Sequence, residues 1–116
     1  EDLMPVAVRE IDPLGLAAAR RDGAVVIDVR EPHEYTAGHV PCARLIPLGA
    51  VQRRVDEIRH QAQGDEPVYL ICRSGVRSAD AARILDRAGV RAVSVAGGTE
   101  AWKAAGLDVV TGSHAC

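Results

Sequence analysis

One cysteine in this chain has neighbours that would make its thiol reactive. Cys72 begins a seven-residue run that ends at Ser78 and holds two arginines, one on each side of a glycine. The thiolate is the nucleophilic form of cysteine, and the pKa of an unperturbed thiol is about 8.5. Convergent backbone N–H groups, the positive end of a following helix and permanently charged arginines all favour the anion. We therefore predict a depressed pKa for Cys72 and an anion pocket around it; the alternative is a buried apolar cysteine without a chemical role.

The flanking sequence predicts how this thiol is positioned. The apolar run 68–71 is typical of a buried strand that leads directly into Cys72. Residues 79–88 have the apolar spacing of a helix, and Ser78 is the expected N-cap of that helix. The sulfur is thus predicted to lie between the end of a strand and the start of a helix.

A second apolar run, 24–29, contains Asp28 and is followed by Arg30. In parallel sheets, ligands bind beyond the carboxyl ends of the strands, so this pair is expected to lie near Cys72. Beside a reactive loop, Asp28 and Arg30 are expected to form an organising salt bridge, and an ordinary solvated pair is the alternative.

The rest of the chain alternates between strand-like and helix-like segments. Asp12 followed by Pro13 is typical of a helix start, and Gly23 of a helix end. Strands alternating with helices predict an α/β domain with a mainly parallel sheet covered by helices, and residues 1–116 are predicted to form one such domain. The remaining predicted segments are strands at 6–11, 44–46 and 90–96, helices at 51–60 and from Thr99, and a polar loop at 30–42.

Composition argues against several classes of function. The chain has 116 residues, 47% apolar residues and a net charge of −2. This charge does not indicate binding to nucleic acid, and no apolar stretch approaches the length of a membrane span. Three cysteines, an odd number in a chain long enough to bury a core, argue against a disulfide framework and favour a reducing cytoplasm. The first residues lack the pattern of a signal peptide, although removal of a leader is left open.

Four short segments follow one another along most of the chain: VIDVREPHEY at 26–35, GHVPCA with IPL at 38–48, CRSGVRS at 72–78 and GGTEAW at 97–102. In order and spacing they resemble the signatures of the single-domain rhodaneses, a family of sulfurtransferases. The resemblance implies a three-layer fold in which helices cover both faces of a mainly parallel central sheet.

The resemblance also implies covalent sulfur transfer. Cys72 would attack the outer sulfur of thiosulfate or a persulfide and become a persulfide, and an acceptor (cyanide, a thiol or a protein) would then remove that sulfur. Arg73 would hold the small anionic donor, and Arg77 would close the loop and pair with Asp28. No metal or organic cofactor is implied. The backbone amides that would cradle the persulfide belong to Arg73, Ser74, Gly75, Val76, Arg77 and Ser78.

Two other activities stay open on the sequence. Relatives that act on phosphate or arsenate have five residues between the cysteine and the arginine, whereas four separate Cys72 from Arg77 here. The shorter loop makes a smaller pocket, which favours sulfur transfer over a phosphatase or arsenate reductase. A persulfide carrier or docking module for a protein partner needs the same thiolate, so the loop does not distinguish it from an enzyme.

Cys42 departs from the resemblance, because the family usually has glycine in this segment. Glycine accepts a positive φ more easily than cysteine, so an altered backbone is expected there. Cys42 is a candidate to resolve a persulfide on Cys72 if the two thiols are close, and Cys116 is expected to be a mobile bystander. Glu34 and His39 are expected to be structural; His39 as a general base and zinc binding by His39 with Cys42 are less favoured.

Overall fold

The computed structural model describes residues 7–62 and 64–116. Its strands are β1 Arg9–Ile11, β2 Val25–Asp28, β3 Arg44–Leu45, β4 Val68–Ile71 and β5 Ala92–Val95. Its helices are α1 Pro13–Arg21, α2 Pro32–Ala37, α3 Leu48–Val51, α4 Val55–Gln61, α5 Val76–Arg87 and α6 Gly98–Ala104, with a 3-10 turn at Gln52–Arg54 between α3 and α4. Within the described residues these strands form one parallel sheet in the order β1-β5-β4-β2-β3.

Alternate side chains of the central strands face opposite layers of helices. In β2, Ile27 packs with the cluster formed by α3, α4 and α5, whereas Val26 packs with the cluster that contains residues of α1 and α6. Leu70 and Ile71 of β4 divide in the same way. A strand covered on both faces favours apolar residues at successive positions, which explains the long apolar runs in the sequence. The predicted α/β fold, with helices on both faces of a parallel sheet, is confirmed.

Helix α1 begins as its sequence predicts. The side chain of Asp12 accepts a hydrogen bond from the N–H of Gly15 at 2.8 Å, and Pro13 occupies the first turn. The strand predicted at 6–11 is shorter, since β1 begins at Arg9 and Val6 lies outside the described residues.

The prediction of a polar loop at 30–42 is wrong over its first half, because α2 lies there. Pro32 occupies the first turn, and Glu31 and Glu34 form a capping box in which the N–H of Glu31 donates to Glu34 Oε1 at 3.0 Å. The Glu-Pro-x-x spacing before Tyr35 was the available signal for this helix.

Helix α5 begins three residues earlier than predicted, so Ser78 is not its N-cap. Gly75 takes that position with φ 115°, in the left-handed region that favours glycine. Ser78 is therefore drawn into the first turn of α5, where its side chain faces inward and is fully buried.

Two neighbouring strands bring the predicted site residues to one edge of the sheet. β2 and β4 are neighbours, and their register pairs Asp28 with Ile71, the residue before Cys72. The Cys72 loop and the Asp28–Arg30 segment thus share the carboxyl edge, as predicted. Among the described residues, no helix has the length and apolar character required to cross a membrane.

Candidate active site

Cys72 stands at the carboxyl end of β4 with its sulfur enclosed by the loop that follows. The residue is 1% exposed. The N–H of Gly75 donates to Cys72 Sγ at 3.0 Å, and Ser78 Oγ lies 3.4 Å from the same sulfur. The left-handed Gly75 turns the chain back over the sulfur, so that both the loop and the first turn of α5 point polar groups at it.

These contacts determine the ionisation of the thiol. Burial is the largest single influence and raises the pKa of Cys72, but the Ser78 hydroxyl and the backbone N–H groups of Ser78, Gly75 and Ser74 together lower it by more. The net pKa lies below the ordinary value, in the direction predicted from the sequence. The groups that lower the pKa are hydrogen-bond donors rather than the arginines, which were also expected to contribute.

Helix α6 supports the loop from behind. The N–H and hydroxyl of Thr99 both donate to the carbonyl oxygen of Cys72, at 2.8 and 2.9 Å, and the N–H of Glu100 donates to that of Arg73 at 3.1 Å. A side chain on Gly98 would place a Cβ 2.5 Å from the backbone of Cys72 and Arg73. Thr99 and Glu100 were not predicted as site residues, although they belong to the GGTEAW segment.

Arg77 pairs with Glu34, so the predicted pairing with Asp28 is wrong. The two terminal guanidinium nitrogens of Arg77 donate to the two carboxylate oxygens of Glu34 at 2.7 and 2.9 Å. This hydrogen-bonded pair lowers the pKa of Glu34 to about 2 and raises that of Arg77. Since Glu34 also caps α2, one carboxylate fixes the start of that helix and ties it to α5.

Asp28 is already satisfied by a nearer arginine, as the sequence analysis predicted. Arg30 donates through Nε and a terminal nitrogen to the two Asp28 oxygens at 2.9 and 2.8 Å, and both residues are buried. The same terminal nitrogen of Arg30 donates to the carbonyl oxygen of Gly38 at 2.8 Å. The ion pair thereby joins the end of β2 to the segment that follows α2.

Arg73 is placed quite differently from Arg77. Its Nε donates to Glu100 Oε2 at 2.9 Å, but the two side chains are 68% and 53% exposed. An ion pair this exposed contributes about 0–1 kcal/mol, so an anionic ligand can displace it. Arg73, His33, Glu34, Glu100 and Lys103 are among the residues that line an open pocket of about 410 Å³ beside the loop.

The other two cysteines form a disulfide, which overturns two predictions. Cys42 and Cys116 are bonded, with Cα atoms 4.2 Å apart, and Cys72 is the free cysteine. The expectations of no disulfide and of Cys116 as a mobile bystander are therefore wrong, and the alternative role of Cys42 as a resolving thiol has no free thiol to perform it. Sequence gave no signal for this bond because the partners are 74 residues apart. Cys42 does adopt the positive φ expected of the glycine it replaces, 69°.

His39 anchors the C-terminal segment (residues 107–116). Its ring is buried and stacked on Tyr35, and its two nitrogens contact the carbonyl oxygens of Tyr35 and His114 at 2.8 and 2.9 Å. These contacts agree with the structural role predicted for His39. Cys42 is consumed in the disulfide, so the zinc site considered for this pair is not formed.

Comparison with known proteins assigns the chain to a family. Residues 13–105 match the rhodanese-like domain, and the chain belongs to this family. It is 38% identical over 96 residues to the thiosulfate sulfurtransferase GlpE of Pseudomonas entomophila, which covers 82% of this chain and 84% of that protein. A rhodanese-related protein of Thermoplasma volcanium has a similar structure, with a TM-score of 0.72, 31% identity and coverage of 88% of this chain and 97% of that one.

A further relative is longer than this chain. The putative sulfur carrier protein YrkF of Bacillus subtilis is 41% identical over 78 residues, which is 66% of this chain but 40% of that protein. The family and these relatives support a general role in sulfur transfer.

Proposed function

We propose that this chain is a sulfurtransferase that moves sulfane sulfur from thiosulfate or a persulfide to cyanide, a thiol or a protein through a persulfide on Cys72. The observation that carries the proposal is the free Cys72 thiol, held at the end of the central strand by donors that favour its anion. Membership of the rhodanese-like family and the GlpE relative support the same chemistry.

In the first half-reaction the Cys72 thiolate attacks the outer sulfur of thiosulfate. A new sulfur–sulfur bond forms, the donor's sulfur–sulfur bond breaks, and sulfite leaves with the electron pair. The backbone N–H groups from Arg73 to Ser78 stabilise the negative charge of the new persulfide. Arg73 exchanges its exposed Glu100 partner for the anionic donor, while Arg77 stays with Glu34 and holds the loop.

In the second half-reaction a thiophilic acceptor attacks the outer sulfur of the persulfide. The acceptor–sulfur bond forms as the bond to Cys72 breaks, and the thiolate is regenerated as the leaving group. A leaving group with a depressed pKa departs more readily, so the hydrogen bonds that ionise Cys72 serve this step as well.

Intact mass after incubation with thiosulfate tests the proposal, with wild type and Cys72→Ala compared. Wild type should gain one sulfur, about 32 Da, that a thiol reductant removes, and the variant should gain nothing. Wild type should also turn over thiosulfate with cyanide by ping-pong kinetics. No gain with thiosulfate or with a low-molecular-weight persulfide, or an equal gain in the Cys72→Ala variant, would overturn it.

A persulfide carrier for a protein partner is the second candidate, and the YrkF relative favours it. A carrier would form the same persulfide but turn over thiosulfate with cyanide slowly and exchange sulfur rapidly with a partner's persulfide. Comparing these two rates on the same preparation separates the candidates.

The cytoplasm is the proposed compartment. The cysteine count no longer supports it, because a disulfide such as Cys42–Cys116 is rare in reducing compartments. Counting the free thiols of protein quenched with acid directly from cells tests the proposal. Three thiols per chain agree with a reducing cytoplasm, and one thiol argues against it.

A further inference from the structure

A buried serine stands directly behind the active-site loop. Ser94 lies in β5, next to β4 in the sheet, and is 0% exposed. Ser94 Oγ is 2.8 Å from Ser78 Oγ, and Ser78 Oγ is 3.4 Å from Cys72 Sγ. The three groups form a continuous buried chain of contacts from β5 to the reactive sulfur.

The direction of the hydrogen bond between the serines follows from the protons available. Within the described residues, Ser78 is the side-chain partner of Ser94. If the Ser78 hydroxyl donated to Ser94, the Ser94 proton would be buried without an acceptor, which is costly. If Ser94 donates to Ser78, both protons are used, because the Ser78 hydroxyl can donate to the carbonyl oxygen of Gly75 at 3.2 Å. The neutral Cys72 thiol donates to Ser78 Oγ at 3.4 Å, and once it is ionised the same sulfur becomes a second acceptor for the Ser78 proton.

This direction matters for the thiol. A thiolate is a stronger acceptor than a carbonyl oxygen, so ionisation of Cys72 draws the Ser78 proton toward the sulfur. A hydroxyl that accepts a hydrogen bond becomes a better donor, and the effect is larger where water is excluded. Ser94 therefore strengthens the Ser78 contact in the ionised state more than in the neutral state.

We propose that Ser94 is a positioning residue that directs the Ser78 hydroxyl onto the Cys72 sulfur and so stabilises the thiolate from behind the loop. The effect of Ser94 on catalysis rests on the proposed sulfur transfer. Its effect on the ionisation of the Cys72 thiol does not. A serine that merely filled space in the core would leave that ionisation unchanged when replaced by alanine.

The test is the rate of Cys72 alkylation by iodoacetamide against pH, followed by intact mass without reductant so that Cys42 and Cys116 stay bonded. No sulfur donor is present, so the outcome does not depend on sulfur transfer. Ser94→Ala should move the midpoint about 0.5–1 pH unit upward, which slows alkylation about 3- to 10-fold below the midpoint and leaves it unchanged well above. Ser94→Thr, which keeps the hydroxyl, and Ser113→Ala, on the exposed C-terminal segment, should follow wild type.

Two further variants complete the test. Ser78→Ala should shift the midpoint at least as far as Ser94→Ala, and the double variant should equal Ser78→Ala alone, because Ser94 acts through Ser78. If Ser94→Ala does not fold, as judged by circular dichroism, Ser94→Cys replaces it; a thiol is a weak donor, so an upward shift is again expected, with the labelled peptide identified by mass. A wild-type profile in a folded variant that lacks the Ser94 hydroxyl, or additive shifts in the double variant, overturns the proposal.

Discussion

The Cys72 loop and the C-terminal segment (residues 107–116) both hold a cysteine against the body of the protein, and they use its sulfur in opposite ways. In the loop, N–H and hydroxyl donors surround one sulfur, so its anion is stabilised. In the C-terminal segment, backbone pairing of Val110 with His39 and of Ala115 with Cys42 brings a second sulfur to the first, and both are consumed in a bond.

The comparison shows that surroundings, not residue type, decide what a cysteine does. A sulfur surrounded by hydrogen-bond donors, without a second sulfur, becomes a nucleophile. A sulfur to which backbone pairing brings a second sulfur forms a disulfide. The loop should therefore govern sulfur transfer, and the C-terminal segment should govern stability. Variants in the two regions can break this division, and Gly98→Ala has the largest expected effect on activity.

Gly98→Ala should give the largest loss short of removing Cys72. Its Cβ would lie 2.5 Å from the carbonyl groups of Cys72 and Arg73, and its φ is +60°. We expect destabilisation of about 2–4 kcal/mol and a loss of kcat/KM of about 30-fold or more, since the backbone under the sulfur must move. Gly89→Ala is the matched control: its φ is +82° but nothing lies within 4 Å, so about 1 kcal/mol of strain and near-normal activity are expected. Equal activities in the two variants would contradict the prediction.

Glu34→Gln should lower kcat/KM about 5- to 20-fold, because Arg77 loses the carboxylate that fixes it. Glu57→Gln is the control: it breaks a comparable two-bond pair with Arg54 away from the site and should leave activity unchanged.

The same variant gives a pH test. The pKa of Glu34 falls from 4.5 to about 2 in the folded protein, so its contribution to stability is complete above pH 4.5 and disappears as pH falls toward 2. Wild type should therefore lose more unfolding free energy than Glu34→Gln across that interval, measured by denaturant titration. Parallel curves for the two proteins would count against the ion pair.

What the sequence predicted well was local or followed from strand order. The strand before Cys72, the Asp28–Arg30 pair two residues apart and the shared carboxyl edge all follow from short-range pattern and from parallel pairing. The pattern of continuous apolar runs was sufficient because β2 and β4 are covered on both faces.

What it missed depends on contacts between distant segments. The Arg77 partner lies 43 residues away, and the pairing with Asp28 was implied only by the resemblance to the family. Ser78 has the residue type of an N-cap, but the left-handed Gly75 starts α5 earlier and turns that hydroxyl inward. Ser94 gave no signal, since one serine in an apolar strand is unremarkable until Ser78 is found 2.8 Å from it.

Glu100→Gln should raise activity with a small anionic donor. In the proposed mechanism Glu100 competes with the donor for Arg73. Because this exposed pair is weak, the KM for thiosulfate should fall about 2- to 5-fold with little change in kcat. Glu66→Gln removes the same charge from an exposed position outside the pocket that Arg73 and Glu100 line, so it controls for net charge. An unchanged or higher KM in Glu100→Gln would mean that Arg73 does not receive the donor.

Removing the disulfide should have the smallest effect on activity and a clear effect on stability. Cys116→Ser should leave kcat/KM within about twofold and cost about 2–4 kcal/mol of unfolding free energy, measured by denaturant titration. Cys42→Gly breaks the same bond, but glycine accepts the φ of 69° that cysteine holds under strain, so it should be about 0.5–1 kcal/mol more stable than Cys116→Ser. A tenfold fall in kcat/KM in both variants would contradict the division between the two regions. The disulfide would then act on the loop, and the structure offers a path through α2. His39 contacts both Tyr35 of α2 and His114 of the C-terminal segment, and Glu34 of α2 pairs with Arg77.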